Sequence, residues 1–359
     1  MSSDAPQERV VIKIGTSSLV SDGRPDPGKL AALADAVVRL RGEGIQPVVI
    51  GSGAIAVGNA RLAASGTAVV GPAARQVAAA VGQGLLYAAF HDALAARGLV
   101  TAQILLTPPD LTGPEHRDSV RAILESALAA GLVPVVNEND AVMVRNNDVL
   151  AALLAGVLGA DRLLLLTDVP GLYESDPRRD RSARRIPEIA VMTPGVERLA
   201  GAAAGGLGTG GMAAKLCAAW IATLAGVPVV IAGADTEDGV VRAMAGADIG
   251  TLVHPRAPER DPDLGRVWRA LSEPPAGRLL CTPEGVAALA GGGVLTARYI
   301  ESHEGVFEAG STVDAVDGDR RIIVRGRARL GSFELHDFTD PGQGPAVLHP
   351  TDYVTLPEA

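Results

Sequence analysis

Over roughly the first 250 positions, short runs rich in valine, isoleucine and leucine alternate with longer alanine-rich stretches. The runs at 10–14, 47–50, 100–106, 133–136, 163–166 and 227–231 are continuously apolar, which is the pattern of strands covered on both faces. Between them, 29–41, 73–97, 119–130, 148–158 and 212–224 predict helices. Such alternation predicts an α/β fold built on a doubly wound, mostly parallel sheet. Ligands of these sheets collect at the carboxyl ends of the strands, so the loops there are the place to seek chemistry.

Beyond Arg256 the pattern changes to the polar, proline-bearing stretches APERDPDLGRVW and SEPPAG, which read as a linker. The organisation expected is a large first domain over 1–258, a linker over 259–275 and a small β-rich domain over 276–359. In the last of these, short segments at 278–281, 293–299, 312–316, 321–324 and 346–354 are separated by Gly and Asp turns. No internal repeat is present.

A length of 359 residues with 47% hydrophobic positions fits two well-packed domains. The N-terminus MSSDAPQERVVIKIG lacks the basic-then-apolar layout of a secretion signal, and no run of eighteen apolar residues occurs. A cytoplasmic protein is therefore expected. Cys217 and Cys281 are far apart and have no companion at ligand spacing, so neither a disulfide framework nor a metal site is predicted. A net charge of −9 disfavours broad binding to nucleic acid or anionic membrane. Lysine is scarce: of 32 basic residues only Lys13, Lys29 and Lys215 are lysines.

Two of those three lysines adjoin glycine-bearing turns. Lys13 sits inside an apolar strand just before Gly15-Thr16-Ser17, a costly place for an ammonium group unless an anion meets it. Gly51-Ser52-Gly53 leads a strand directly into a helix, where backbone amides can receive a carboxylate or phosphate. The segment GLGTGGMAAK, ending on Lys215, satisfies G-x-G-x-x-G but follows no strand, and it lacks the Gly-Lys-Ser/Thr succession of a Walker loop. It remains a glycine-rich anion cradle with a lysine on the next helix. Polar strand ends at Asn137-Glu138-Asn139-Asp140 and Thr167-Asp168, with Asn146-Asn147-Asp148 opening a helix, complete the set. Each loop alone also suits a purely structural role, since Asn and Asp cap helices. Together they supply the cation clamps, backbone donors and acidic anchors of phosphoryl transfer.

In order and wording the loops VVIKIGTSSL, SGAIAVG, VGQGLL, VPVVNENDAV, LLLLTDVPGLYESDPR and GLGTGGMAAKL resemble the amino acid kinase family, in its branch that phosphorylates glutamate. The part from PPAG onward resembles a PUA domain. The resemblance implies an enzyme that uses ATP and Mg²⁺ to convert the γ-carboxylate of L-glutamate to L-glutamyl 5-phosphate, the first step of proline biosynthesis. It implies that Lys13 and Lys215 contact the transferring phosphoryl group, with Asp148 holding both. Thr167, Asp168, Thr209, Gly210, Gly211, Met212, Ala213, Ala214 and Lys215 would line the nucleotide, and Ser52, Asp140 and Asn147 would bind glutamate. It further implies a homo-oligomer inhibited by proline, whose product passes to glutamyl phosphate reductase.

The chain departs from the family in three places. The loop before Asp148 is short, and Gly-Asp-Asn-Asp reads Arg145-Asn146-Asn147-Asp148; the long helix opens Ala74-Arg75-Gln76 instead of Thr-Lys-Gln; and most of the helical stretch before the last strand is missing. A different or modified acidic acceptor is therefore the first alternative. A degenerate kinase that binds RNA through its C-terminal domain is the second. Arg325, Arg327 and Arg329 would share a strand face there, but the surrounding acidic residues favour a solvated face over an RNA site.

Overall fold

The computed structural model describes residues 7–144, 146–175, 177, 180–199, 211–236, 238–256, 263–337 and 344–356. Its larger sheet has eight strands: β1 (Arg9–Ile14), β2 (Gln46–Ile50), β3 (Thr101–Leu106), β4 (Val133–Glu138), β5 (Arg162–Thr167), β6 (Glu188–Ile189), β7 (Val229–Gly233) and β8 (Gly250–Val253). They lie in the order β3-β4-β2-β1-β5-β7-β8-β6. All neighbours run parallel except β7 and β8. From β1 the chain adds β2 beside it, then the edge strand β3, then β4 between β3 and β2, and crosses to β5 on the other side of β1. This places a topological switch point at β1.

Helices cover both faces: α1 (Pro27–Gly42), α2 (Ala54–Ala64), α3 (Ala74–Ala95), α4 (Pro114–Ala129), α5 (Asn147–Leu158) and α6 (Met212–Leu224). Side chains alternate along β1 with period two. Val10, Ile12 and Ile14 pack toward α1 and α3, whereas Val11 packs toward α5 and α6. Lys13 shares Val11's parity, so β1 delivers its ammonium group to the α5–α6 side.

The α2–α3 pair brings two backbones together through glycine. A Cβ on Gly58 would lie 1.8 Å from the carbonyl oxygen of Ala78, and one on Gly82 would lie 1.9 Å from that of Ala54. Any side chain at either position would force the helices apart. Their contact fixes the first turn of α2, which directly follows the Gly51-Ser52-Gly53 bend.

The stretch expected to be a linker carries a helix, α7 (Leu264–Leu271), capped by the Asp263 side chain on the Arg266 amide. Leu264, Val267, Ala270 and Leu271 enter the larger core, so α7 docks against the first unit. Beyond it stands a second sheet of β9 (Gly277–Cys281), β10 (Ile300–Glu304), β11 (Thr312–Val316), β12 (Ile322–Arg327) and β13 (Tyr353–Thr355), ordered β10-β9-β11-β12-β13. A separate apolar cluster including Leu279, Val313, Val324 and Val347 supports it.

The arginine stripe expected to be solvated on this sheet is so only at Arg329, which is exposed. Arg325 is buried against Asp314 and Glu197, Arg327 lies over the Trp268 ring at 5.5 Å, and Arg329 pairs with Asp352. Among the described residues no helix is long and apolar enough to cross a membrane.

Candidate active site

The carboxyl ends of β4, β2, β1 and β5 lie side by side, which brings the polar loops of the sequence to one edge of the sheet. At their centre Lys13 Nζ meets Asp148 Oδ1 at 2.7 Å, and Lys215 Nζ meets Asp148 Oδ2 at 3.3 Å. The relative exposures are 5% for Lys13, 0% for Asp148 and 3% for Lys215, so the trio is sealed from bulk water.

Local structure explains each placement. Asn146 caps α5 by accepting from the Asp148 amide at 2.8 Å, which fixes Asp148 in the first helical turn where the helix dipole favours an anion. Lys215 lies in the first turn of α6, whose N-cap is Gly211. The third lysine serves the same edge, because Lys29 Nζ donates to the Ser17 carbonyl at 2.7 Å and ties down the turn after β1.

Electrostatics follow from burial. Burial lowers the Lys13 pKa, Lys215 adds to the lowering, and Asp148 opposes both. Burial also works against an ionised Asp148, but the two ammonium groups outweigh it and hold the carboxyl below the usual range. Two ammonium groups against one carboxylate leave a formal surplus of one positive charge beneath the strand ends. That surplus suits an anion.

On the other side of the edge, β4 ends in two buried polar residues, Asn137 and Glu138. Asn137 donates to Gln83 Oε1 at 2.7 Å, and the Glu138 amide donates to Asn147 Oδ1 at 3.1 Å. Asn147 therefore ties the start of α5 to the end of β4. Gln76 on α3 donates to the carbonyls of Ala141 and Val142, holding the intervening loop. Asp140 sits half-buried in that loop. Burial pushes its pKa up to about 6, against the charge of Arg75 and a hydrogen bond with Glu138. Ser52 is buried just past β2, between Gly51, where a Cβ would strike Phe90, and Gly53, which adopts φ +123°.

Toward β7, the Thr167 hydroxyl donates to Asp168 Oδ1 at 3.0 Å, and the Thr167 carbonyl accepts from the Ala234 amide. Gly211, Met212, Ala213 and Ala214 form the start of α6 leading to Lys215. Thr209 and Gly210, with the rest of the glycine-rich segment from 200, and Arg145 lie outside the described residues. The structure thus brings Lys13, Asp148 and Lys215 into direct contact and places Ser52 just past β2, Thr167 and Asp168 at the end of β5, Asp140 in the loop after β4 and Asn147 at the start of α5, all at the same edge of the sheet. Asn137 and Glu138 stand in sequence only as part of a polar strand end, with no role of their own, their signal being a run of polar residues closing an otherwise apolar strand; Gln83, inside α3, carries no such signal.

Among the described residues no group of three or more His, Cys, Asp or Glu side chains is arranged to hold a metal ion. What the edge offers is a buried cationic centre flanked by hydroxyl, amide and carboxyl groups, the parts needed to hold two anions against each other.

Comparison with known proteins agrees with that chemistry. Residues 8–233 match the amino acid kinase family. The chain is 39% identical over 334 residues to the glutamate 5-kinase of Trichlorobacter lovleyi, covering 91% of this chain and 88% of that protein. It is 38% identical to the glutamate 5-kinase of Shewanella amazonensis, covering 97% and 96%. Among solved structures, the UMP kinase of Bacillus anthracis superposes with a TM-score of 0.51 at 16% identity, over 70% of this chain and 98% of that one. That last likeness is one of fold.

Proposed function

This chain belongs to the amino acid kinase family, and on that premise we propose that it uses ATP to phosphorylate the γ-carboxylate of L-glutamate, giving L-glutamyl 5-phosphate and ADP. The observation that carries the proposal is the buried Lys13–Asp148–Lys215 trio, set in a chain similar along nearly its whole length to glutamate 5-kinases.

A glutamate side chain is ionised at neutral pH, so it attacks the γ-phosphorus without a general base. One carboxylate oxygen forms the new bond to phosphorus as the bond to the β,γ-bridging oxygen breaks, and that oxygen leaves with ADP. The obstacle is repulsion between the acceptor and the triphosphate. Lys13 and Lys215 reduce it by pairing with the migrating phosphoryl oxygens, while Asp148 fixes where both ammonium groups point. Thr167, Asp168 and residues 211–215, together with Thr209 and Gly210, serve the nucleotide. Ser52, Asp140 and Asn147 serve the amino acid, Asp140 being suited to its α-ammonium group.

Mg²⁺, the usual companion of ATP, would neutralise phosphate charge. Asp148 already engages two ammonium groups, so the cation would take its ligands chiefly from the triphosphate and water. The product is a mixed anhydride prone to hydrolysis, which suits a consuming reductase acting close by.

The test is ADP release that depends on glutamate, with the acyl phosphate trapped by hydroxylamine as the hydroxamate. Absence of both would overturn the proposal. The short loop between β4 and α5 favours one alternative, a different or modified acidic acceptor. Greater turnover with an acetylated or shorter acidic amino acid than with glutamate would establish it.

A further inference from the structure

A buried ionic cluster links the second sheet to the helix that carries Lys215. Arg325, on β12, is only 2% exposed and donates to Asp314 Oδ1 at 2.6 Å and Asp314 Oδ2 at 3.1 Å. The same guanidinium reaches out of its own sheet to Glu197, donating to Oε1 at 2.5 Å and Oε2 at 2.8 Å. Glu197 lies on the short helix Pro194–Leu199 and also accepts from Trp220 Nε1 at 2.6 Å. Trp220 is fully buried on α6. A carboxylate beside buried apolar surface needs a partner, and the partner here comes from the other sheet. Burial works against a charged Arg325, but Asp314 and Glu197 more than compensate and raise its pKa.

The geometry gives this cluster a role beyond joining two units. Lys215 and Trp220 are five positions apart on α6, so at about 100° per residue their side chains point roughly 140° away from each other. Asp148 grips one flank of the helix through Lys215, and Glu197 grips the other through Trp220. Two fixed points on different flanks determine the rotation of a helix about its own axis. The position of the Lys215 ammonium group then depends on both.

We propose that Glu197, held by Arg325 of the C-terminal sheet, is a positioning residue for Lys215, so that the C-terminal unit sets the efficiency of phosphoryl transfer. The proposal rests on the reading of Lys215 as a phosphate-binding group. Because Lys215 acts on the migrating phosphoryl group, loosening the second grip lowers kcat and leaves substrate affinity nearly unchanged.

The test uses the full-length protein and four variants besides Lys215→Ala. Trp220→Phe deletes the donor to Glu197, and Arg325→Met deletes its counter-charge. Arg325→Lys keeps a positive charge, and Val347→Ala weakens the C-terminal core without touching the cluster. Turnover is normalised to folded protein by a thermal melt of each preparation. The expected result is a kcat about tenfold lower for Trp220→Phe and Arg325→Met, with KM for ATP and for glutamate within about threefold of the parent, partial recovery in Arg325→Lys, and an unchanged kcat in Val347→Ala. A kcat within twofold of the parent for Trp220→Phe, while Lys215→Ala loses orders of magnitude, would overturn the positioning role alone. Unaltered turnover in Lys215→Ala would instead remove the underlying reading. Should Arg325→Met fail to fold, Trp220→Phe and Arg325→Lys still decide the matter.

Discussion

Replacing Asp148 by asparagine keeps the shape of the side chain and removes the one negative charge from the buried trio. Lys13 and Lys215, at 5% and 3% exposure, then face each other across a neutral amide. Stripping the partner from a buried ion pair costs about 3–5 kcal/mol. Part of that is relieved if Lys13 gives up its proton, since burial already lowers its pKa and the opposing pull of Asp148 is gone. A neutral Lys13, or one swung toward water, no longer screens the phosphoryl group. If the same 3–5 kcal/mol is lost from the transition state, kcat falls by about 10² to 10⁴.

The sign with pH follows from linkage. A lysine whose pKa is lowered in the folded state binds more protons when unfolded, so its penalty is greatest at neutral pH and shrinks as pH rises toward the ordinary lysine value of 10.5. Urea unfolding of Asp148→Asn at pH 7 and at pH 9, beside ADP release at saturating ATP and glutamate, measures both effects. The expected outcome is a stability loss of about 3 kcal/mol or more at pH 7 that narrows at pH 9, with kcat down at least about a hundredfold. A variant within about 1 kcal/mol of the parent and with near-parental kcat would refute this account of the trio.

Gly58→Ala should lower the melting temperature by several degrees, since its Cβ would lie 1.8 Å from the Ala78 carbonyl oxygen and overpacking of this kind costs about 1–3 kcal/mol; an unchanged melt would mean that α2 and α3 are not in backbone contact. Asp140→Asn should be more stable than the parent above pH 7, because the carboxyl, raised from 3.8 to about 6 chiefly by burial, must ionise at a cost as pH rises. Discounted for its partial exposure, the gain is on the order of 1–2 kcal/mol and vanishes near pH 4; unfolding curves at pH 4 and pH 8 that differ equally from the parent would contradict it. The same substitution should raise KM for glutamate at least about tenfold while leaving KM for ATP nearly unchanged, as steady-state kinetics with each substrate varied would show.

The parts of the fold written in local pattern were legible in sequence. Continuous apolar runs marked six of the eight strands of the larger sheet, β1 to β5 and β7, to within a few residues, while the short β6 and β8 were missed; α6 begins at Met212 as expected because Gly211 caps it. What failed depended on partners distant in the chain. The apolar positions of α7 are interrupted by Arg and Gly, so a helix that docks through Leu264, Val267, Ala270 and Leu271 read as a linker. Strand parity placed Arg325 on one face of β12. Nothing near it announced that the face would meet Glu197, 128 positions earlier. Scarcity marked Lys13 and Lys215, and the structure adds how they meet: each takes a different oxygen of Asp148. The polar end of β4 stood out in sequence as a strand end bearing chemistry or caps, and the structure adds that Asn137 and Glu138 are buried and bond to Gln83 and Asn147.

The convergence of two ammonium groups on one phosphoryl group is tested most directly by a double-mutant cycle on Lys13→Ala and Lys215→Ala, read as single-turnover phosphoryl transfer from ATP to glutamate. Residues that act as a unit give non-additive losses. Each single substitution is predicted to slow transfer by at least about a hundredfold, and the double variant to be little slower than the worse single one. Losses that simply multiply, or either single variant turning over at close to the parental rate, would contradict it.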